Sequence, residues 1–223
     1  MSSIEYNPQI MSKAPALREK IRSELLDRVM HHELAPSSRI RETALASELG
    51  ASRTPLREAL FSLVQDGFID TTRDRGFSVK PLTSREVREI YPIVWTLEIL
   101  ALQTSRGNFT AIIPDLVRLN RKLRRAVHKP TVAIRYDTLW HSKLTSLCPN
   151  ERLISIVSTL KRLIYRYEFI YMNNAGLIAS SVEQHKQIIG ALTERSLKTA
   201  AVLLEQNWRW AMQNLLDQFD WMS

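Results

Sequence analysis

The run Ser52-Arg53-Thr54-Pro55-Leu56-Arg57-Glu58-Ala59-Leu60 constrains the fold of this chain more than any other stretch. Ser52 is an N-cap residue by type, because its hydroxyl can accept from an orphan N–H of a first helical turn. Pro55 falls in that turn, where a missing N–H costs nothing. Leu56, Ala59, Leu60, Leu63 and Val64 then recur at i, i+3, i+4, i+7 and i+8, one apolar face of a helix that Gly67 ends. Arg53, Thr54 and Arg57 lie off that face, and the two arginines are one turn apart.

The flanks narrow the possibilities. Upstream, Glu42 to Leu49 reads as a short helix with Leu45 and Leu49 inward, and Gly50-Ala51-Ser52 makes a tight turn. Helix, short Gly-containing turn and second helix is the pattern that sets its second helix in a DNA groove. Downstream, Phe68 to Thr72 and Phe77 to Lys80 are strand-like, joined by Arg73-Asp74-Arg75-Gly76 as a hairpin with an arginine and a glycine at its tip. A helical hairpin with merely solvated arginines explains the helices but not the hairpin that follows them.

Charge adds less than its total suggests. The 223 residues carry a formal +8, which suits an anionic partner. Residues 1–82, however, hold 12 Lys/Arg against 11 Asp/Glu, and residues 83–223 hold 19 against 12. Affinity for DNA therefore rests on where a few arginines stand. Arg121-Lys122 and Arg124-Arg125, in the more basic half, read as a solvated helix face. Cys148 is the single cysteine, which rules out an intramolecular disulfide and fits a reducing compartment. Met1 to Met11 lacks the basic start and apolar core of a signal peptide. No run approaches the ~18–20 apolar residues of a membrane span, so a cytoplasmic protein with no membrane partner is expected.

In chain order, residues 1–14 are expected as a flexible arm. Leu17 to His32 is helical by period, with Leu17, Ile21, Leu25 and Val29 on one stripe, and Arg39-Ile40-Arg41 adds a short strand beside the hairpin. From Thr83 onward the pattern is helical throughout. One helix covers Ser84 to about Arg106, with Pro92 expected to kink or split it. Others cover Pro114 to His128, Thr131 to Leu147 and Glu151 to about Asn174. Ser180 with Glu183 forms a capping box for the next, and Ser196 caps a last helix reaching about Phe219. The fold class is mainly α: a winged helix-turn-helix over residues 15–82, then an all-α bundle of six or seven helices over 83–223, large enough for a cavity.

The residues Leu45-Ala46, Leu49-Gly50, the Ser52–Leu60 string, Leu63, Asp66-Gly67 and Arg75-Gly76 resemble the winged helix-turn-helix of GntR-type bacterial transcription regulators. Leu97-Glu98, Asp137 with Trp140-His141, Leu144, Asn150, Leu153, Glu183-Gln184-His185, Ala191-Leu192 and Ala200 resemble the FCD-type ligand-binding domain of the FadR subfamily. The resemblance implies a homodimer on a palindromic operator, a small-molecule metabolite that moves the two DNA heads, and most commonly repression. DNA contacts are expected from Ser52, Arg53, Thr54, Pro55 and Arg57 on the helix and from Arg75 and Gly76 on the wing.

The family also binds a divalent metal through an Asp and three His. Asp137 and His141, four apart on one helix face, and His185 match three of these positions, and Asn207 stands where the last helix would supply the fourth. Carboxylate and imidazole donors suit Zn, Ni or Mn alike. Members that bind small carboxylates commonly carry an arginine where Val94 stands here. The expected effector pocket is therefore Val94, Trp140, Arg162, Tyr165 and Arg166, with aromatic walls and an arginine for an anion. Two alternatives remain: a metal-dependent enzyme using Asp137, His141 and His185, and a dimeric DNA-binding protein without ligand. No Cys–His or Ser–His pair in a recognisable setting and no phosphate-binding glycine loop supports the enzyme, so none is expected.

Overall fold

The computed structural model describes residues 8–72, 76–106 and 108–222. The chain forms two compact units, residues 1–82 and 83–223. In the first, α1 (Pro8–Met30), α2 (Glu42–Glu48) and α3 (Arg53–Gln65) precede β1 (Ile69–Thr72) and β2 (Gly76–Val79). α1 begins earlier than the periodicity indicates, so residues 8–14 of the expected arm are helical, and Leu17 is exposed rather than on the buried stripe. Ile21, Leu25 and Val29 pack inward against α3, whose Leu56, Leu60 and Leu63 are fully buried. Each such leucine contributes about 1.5–3 kcal/mol by leaving water. Gly50 closes the turn between α2 and α3 at φ 60°, a left-handed conformation that a side chain would strain.

β1 and β2 pair antiparallel with Ile69 opposite Val79 and Thr72 opposite Gly76. Arg39 bridges Ser78, and Ile40 N–H donates to the Phe77 carbonyl at 2.9 Å, which supplies the expected third strand in its shortest form.

The second unit is helical throughout its described residues: α4 (Ser84–Thr104), a 3₁₀ turn (Phe109–Ala111), α5 (Ile113–Arg125), α6 (Pro130–Leu144), α7 (Glu151–Tyr171), α8 (Ala175–Thr193) and α9 (Leu197–Met222). α4 packs on α7 and α9, α8 on α9 and α5, and α5 on α6. Thr83, Asn150 and Asn174 cap α4, α7 and α8 with side-chain oxygens that accept first-turn N–H groups. α4 runs through Pro92 without splitting. The carbonyl that the proline ring leaves without a donor belongs to Arg88, an exposed residue that water can serve. The expected capping box at Ser180 is also absent. α8 already begins at Ala175, and the Ser180 hydroxyl donates to the Gly176 carbonyl at 3.1 Å, mid-helix.

Candidate functional site

In the first unit the candidate surface is the N-terminal end of α3. Ser52, Arg53, Thr54 and Arg57 are exposed there. Ser52 occupies the N-cap in extended conformation (φ −77°, ψ 164°), but its side chain makes no capping bond. The third helical residue, a usual donor to such a cap, is Pro55, which has no N–H. The hydroxyl and the first-turn amides are left for an outside acceptor, the arrangement that receives phosphate at helix N-termini. Arg53 Nη2 donates to Thr43 Oγ1 at 3.0 Å. Arg57 is more committed than its spacing suggests. It pairs with Glu42 Oε2 at 3.1 Å and lies over the Phe61 and Phe77 rings, 5.8 and 5.5 Å from their centroids. Gly76 opens β2 at φ 75°, and a Cβ there would sit 3.7 Å from Glu42. Arg75 lies outside the described residues.

In the second unit, Asp137, His141 and His185 are brought together, with one ligand atom of each within 4.8 Å of the others. All three are buried. Both imidazoles turn Nε2 toward Asp137, at 3.9 Å for His141 and 3.6 Å for His185, too far for hydrogen bonds. Their Nδ1 atoms are held from behind. His141 Nδ1 meets Glu98 Oε2 at 2.8 Å, and His185 Nδ1 meets Asn120 Oδ1 at 3.2 Å. The Asn120 amide is oriented by its own bond to the Val182 carbonyl at 2.9 Å. These acceptors place the proton on Nδ1 and leave an Nε2 lone pair facing the shared point, the outer-shell support that metal-binding histidines use. Burial, then His141, pushes the His185 pKa well down, which keeps its ring neutral. Its Nε2 is buried without any hydrogen-bond partner. An orphaned acceptor beside a carboxylate and a second imidazole fits a divalent cation.

Three neighbours of this cluster were not among the expected site residues. Glu98, fully buried, also accepts from Lys161 Nζ at 3.1 Å and Trp208 Nε1 at 2.8 Å. Burial opposes its charge, but His141 and Lys161 outweigh that and hold its carboxyl well below the usual range. Glu168, also buried, is pushed up to about 8, first by desolvation and then by Asp137. Asn120 is the third. Glu98 does carry a signal in sequence, since it falls on the inward stripe Val87, Tyr91, Val94, Ala101 of α4.

Asn207 lines the cavity of about 20 Å³ beside Asp137, His141 and Glu168, and its Nδ2 donates to Gln184 at 2.6 Å. The expected effector residues separate. Arg162 and Tyr165 line a cleft of about 140 Å³ with Glu98 and Lys161. Val94 is buried apolar core. Trp140 stacks on the His185 ring at 3.6 Å and 2° instead of lining that cleft. Arg166 is buried and turned to Glu86 at 2.9 Å, with Tyr167 on the same carboxylate.

A winged helix-turn-helix joined to a helical domain with a buried ligand cluster defines the class: a DNA-binding transcriptional regulator with a sensing domain. The chain matches the gntR family of bacterial regulatory proteins over residues 17–79 and the FCD domain over residues 89–209, and it belongs to that family as an FCD-containing member. It is 30% identical over 168 residues to the Nta operon transcriptional regulator of Aminobacter aminovorans, covering 74% of this chain and 78% of that one. It is 23% identical over 190 residues to the HTH-type transcriptional repressor GlaR of Escherichia coli, covering 80% and 86%. The structure of E. coli McbR/YncC shares its fold, with a TM-score of 0.74 at 21% identity over 91% and 98% of the two chains. Among the described residues no helix is long and apolar enough to cross a membrane.

Proposed function

We propose that residues 15–82 bind operator DNA and residues 83–223 bind a small-molecule effector and dimerise, so that two DNA heads meet two half-sites of a palindrome. Arg53 and Arg57 face the major groove, the amides of the first α3 turn with Ser52, Thr54 and Pro55 meet the phosphate backbone, and Arg75 with Gly76 brings the wing to the duplex. The observation that carries this is the uncapped N-terminal end of α3, with its arginines outward. Occupying the operator makes the protein a repressor, as its relative GlaR is by name. It acts in the cytoplasm, where its DNA target lies.

Asp137, His141 and His185 would hold a divalent metal (Zn, Ni or Mn). The ion would supply a fixed positive charge that ties α6 to α8, while Glu98 and Asn120 hold the two rings in place. The effector enters the cleft at Arg162 and Tyr165, where Arg162 recognises an anionic group. Turnover is not proposed, because the cavity beside the ion cluster holds about 20 Å³, roughly one water.

Arg53→Ala is the test. Without the Arg53 guanidinium in the groove, operator affinity should fall on the order of 10- to 100-fold, the equivalent of about 1–3 kcal/mol, with the thermal midpoint unchanged. A variant that footprints its genomic fragment like wild type would remove the assignment of α3.

A further inference from the structure

Glu168 on α7 is a buried acid of the helical unit. Its side chain is about nine-tenths buried, and its carboxylate has no hydrogen bond or ion pair among the described residues. It lines the same 20 Å³ cavity as Asp137, His141 and Asn207. A buried carboxylate without a donor is costly unless something positive faces it.

Charge balance says what that is. Glu98, Asp137 and Glu168 are three buried carboxylates, and Lys161 is the buried ammonium beside them. With both imidazoles neutral, as metal binding requires, and all three carboxyls ionised in the metal-bound state, the cluster carries two surplus negative charges. A divalent cation cancels them; a cluster built from Asp137 alone would leave it overcharged. Lys161 makes its ion pair with Glu98 and none with Glu168, so its charge offsets the Glu168 carboxylate only in part.

We infer that Glu168 is the fourth protein group of the ion site, acting through a water bound to the ion and standing in for the ligand that Asn207 does not provide. It is not in the group whose donor atoms fall within 4.8 Å of one another, and it shares a cavity with two members of that group, Asp137 and His141. The cavity between them is the size of that water. Asn207 reinforces this division of labour. Its amide is held by Gln184 at 2.6 Å, and an amide brings no charge, so the charge comes from α7 instead of α9. This inference rests on the reading of Asp137, His141 and His185 as metal ligands.

The test is a double-mutant cycle on the full-length protein, with Zn²⁺ and Mn²⁺ as probes. Affinity is read by competition with a chromophoric chelator, and metal content by mass spectrometry after dialysis. Glu168→Gln keeps the shape and removes the charge. It should weaken both ions about 10- to 100-fold, as loss of an outer-shell partner does, and shrink the metal-induced rise in melting temperature. Asn207→His supplies a ligand on α9, so the same Glu168→Gln change made in that background should cost several-fold less. Equal metal affinity in wild type and Glu168→Gln would overturn the role of Glu168, leaving it a buried neutral acid. Equal losses in both backgrounds would overturn the compensation for Asn207. A wild-type protein that takes up neither ion would instead overturn the metal reading itself. Should Glu168→Gln fold poorly alone, the comparison of Asn207→His with its Glu168→Gln derivative decides the role of Glu168 in the same way.

Discussion

The two units handle charge in opposite ways. In the DNA head the ion pairs keep contact with water: Arg57 with Glu42 at 3.1 Å, its side chain 50% exposed, and the partly buried Arg22 with Asp66 at 2.6 Å on the α1–α3 seam. In the helical unit the comparable pairs are enclosed. Glu98, with no exposure, holds His141, Lys161 and Trp208 together. The chemistry of the partners is similar, but the surroundings differ. Water screens the first set and leaves it free to exchange partners with a nucleic acid. The second set has lost its water and depends on its own geometry.

Glu98→Ala therefore gives the largest expected effect. It leaves Lys161 a buried ammonium without its counter-ion, and it deprives His141 Nδ1 and Trp208 Nε1 of their acceptor. The expected loss is about 3–5 kcal/mol, the range for breaking one side of a buried pair, measured from urea unfolding midpoints. It should also release His141 from its orientation and so lower metal uptake. A variant unfolding at the wild-type midpoint would erase the contrast between the units.

The DNA head was legible in sequence because its determinants are consecutive. Cap, proline, arginines and leucines fall within nine residues, and the turn and wing follow in order. The bundle's helices were legible by period, but several ends were not: α5 and α6 stop about a turn earlier than expected, and the start of α8 was misplaced at Ser180 when Asn174 is its cap. The grouping of Asp137, His141 and His185 was legible only through resemblance. Its supports come from helices far apart in sequence: Glu98 on α4, Asn120 on α5, Lys161 and Glu168 on α7. A charged residue on an apolar stripe is the one local trace they leave, and which stripes meet is decided by packing. For the same reason Arg162 and Arg166, one turn apart in sequence, end in different places. One lies at the cleft and the other is sealed against Glu86.

The next effect sharpens the comparison through pH. In metal-free protein Glu168 holds its proton up to about 8, first because it is desolvated and then because Asp137 repels its charge. Glu98 on α4 adds repulsion, and Lys161 on α7 partly offsets it. Its folded pKa lies above the unfolded value, so the native state binds this proton more tightly. The advantage is complete below the unfolded pKa and is lost as pH rises through about 8. Relative to Glu168→Gln, whose amide does not titrate, chelator-treated wild type should lose a few kcal/mol of stability between about pH 5 and pH 8. Urea midpoints of the two proteins taken across that interval should diverge. Parallel curves would mean that Glu168 is solvated like the carboxylates of the DNA head.

The smallest effect falls on the DNA head itself. Glu42→Gln removes the negative partner of Arg57 while keeping the size of the side chain. Because the arginine is half exposed, stability should change by less than about 1 kcal/mol. DNA affinity should respond more. If α3 meets the duplex as proposed, the Glu42 carboxylate competes with DNA for the guanidinium it now holds. Freed, Arg57 should add up to one phosphate contact, which steepens the dependence of log affinity on log salt by about 0.9. Phe61 and Phe77 would still carry the guanidinium over their rings. An affinity that falls, with the slope unchanged, would show that Glu42 aims Arg57 at its target. In that case the exposed pair would be doing for DNA what Glu98 does for His141, and the division between a free surface charge and a fixed interior one would have to be redrawn.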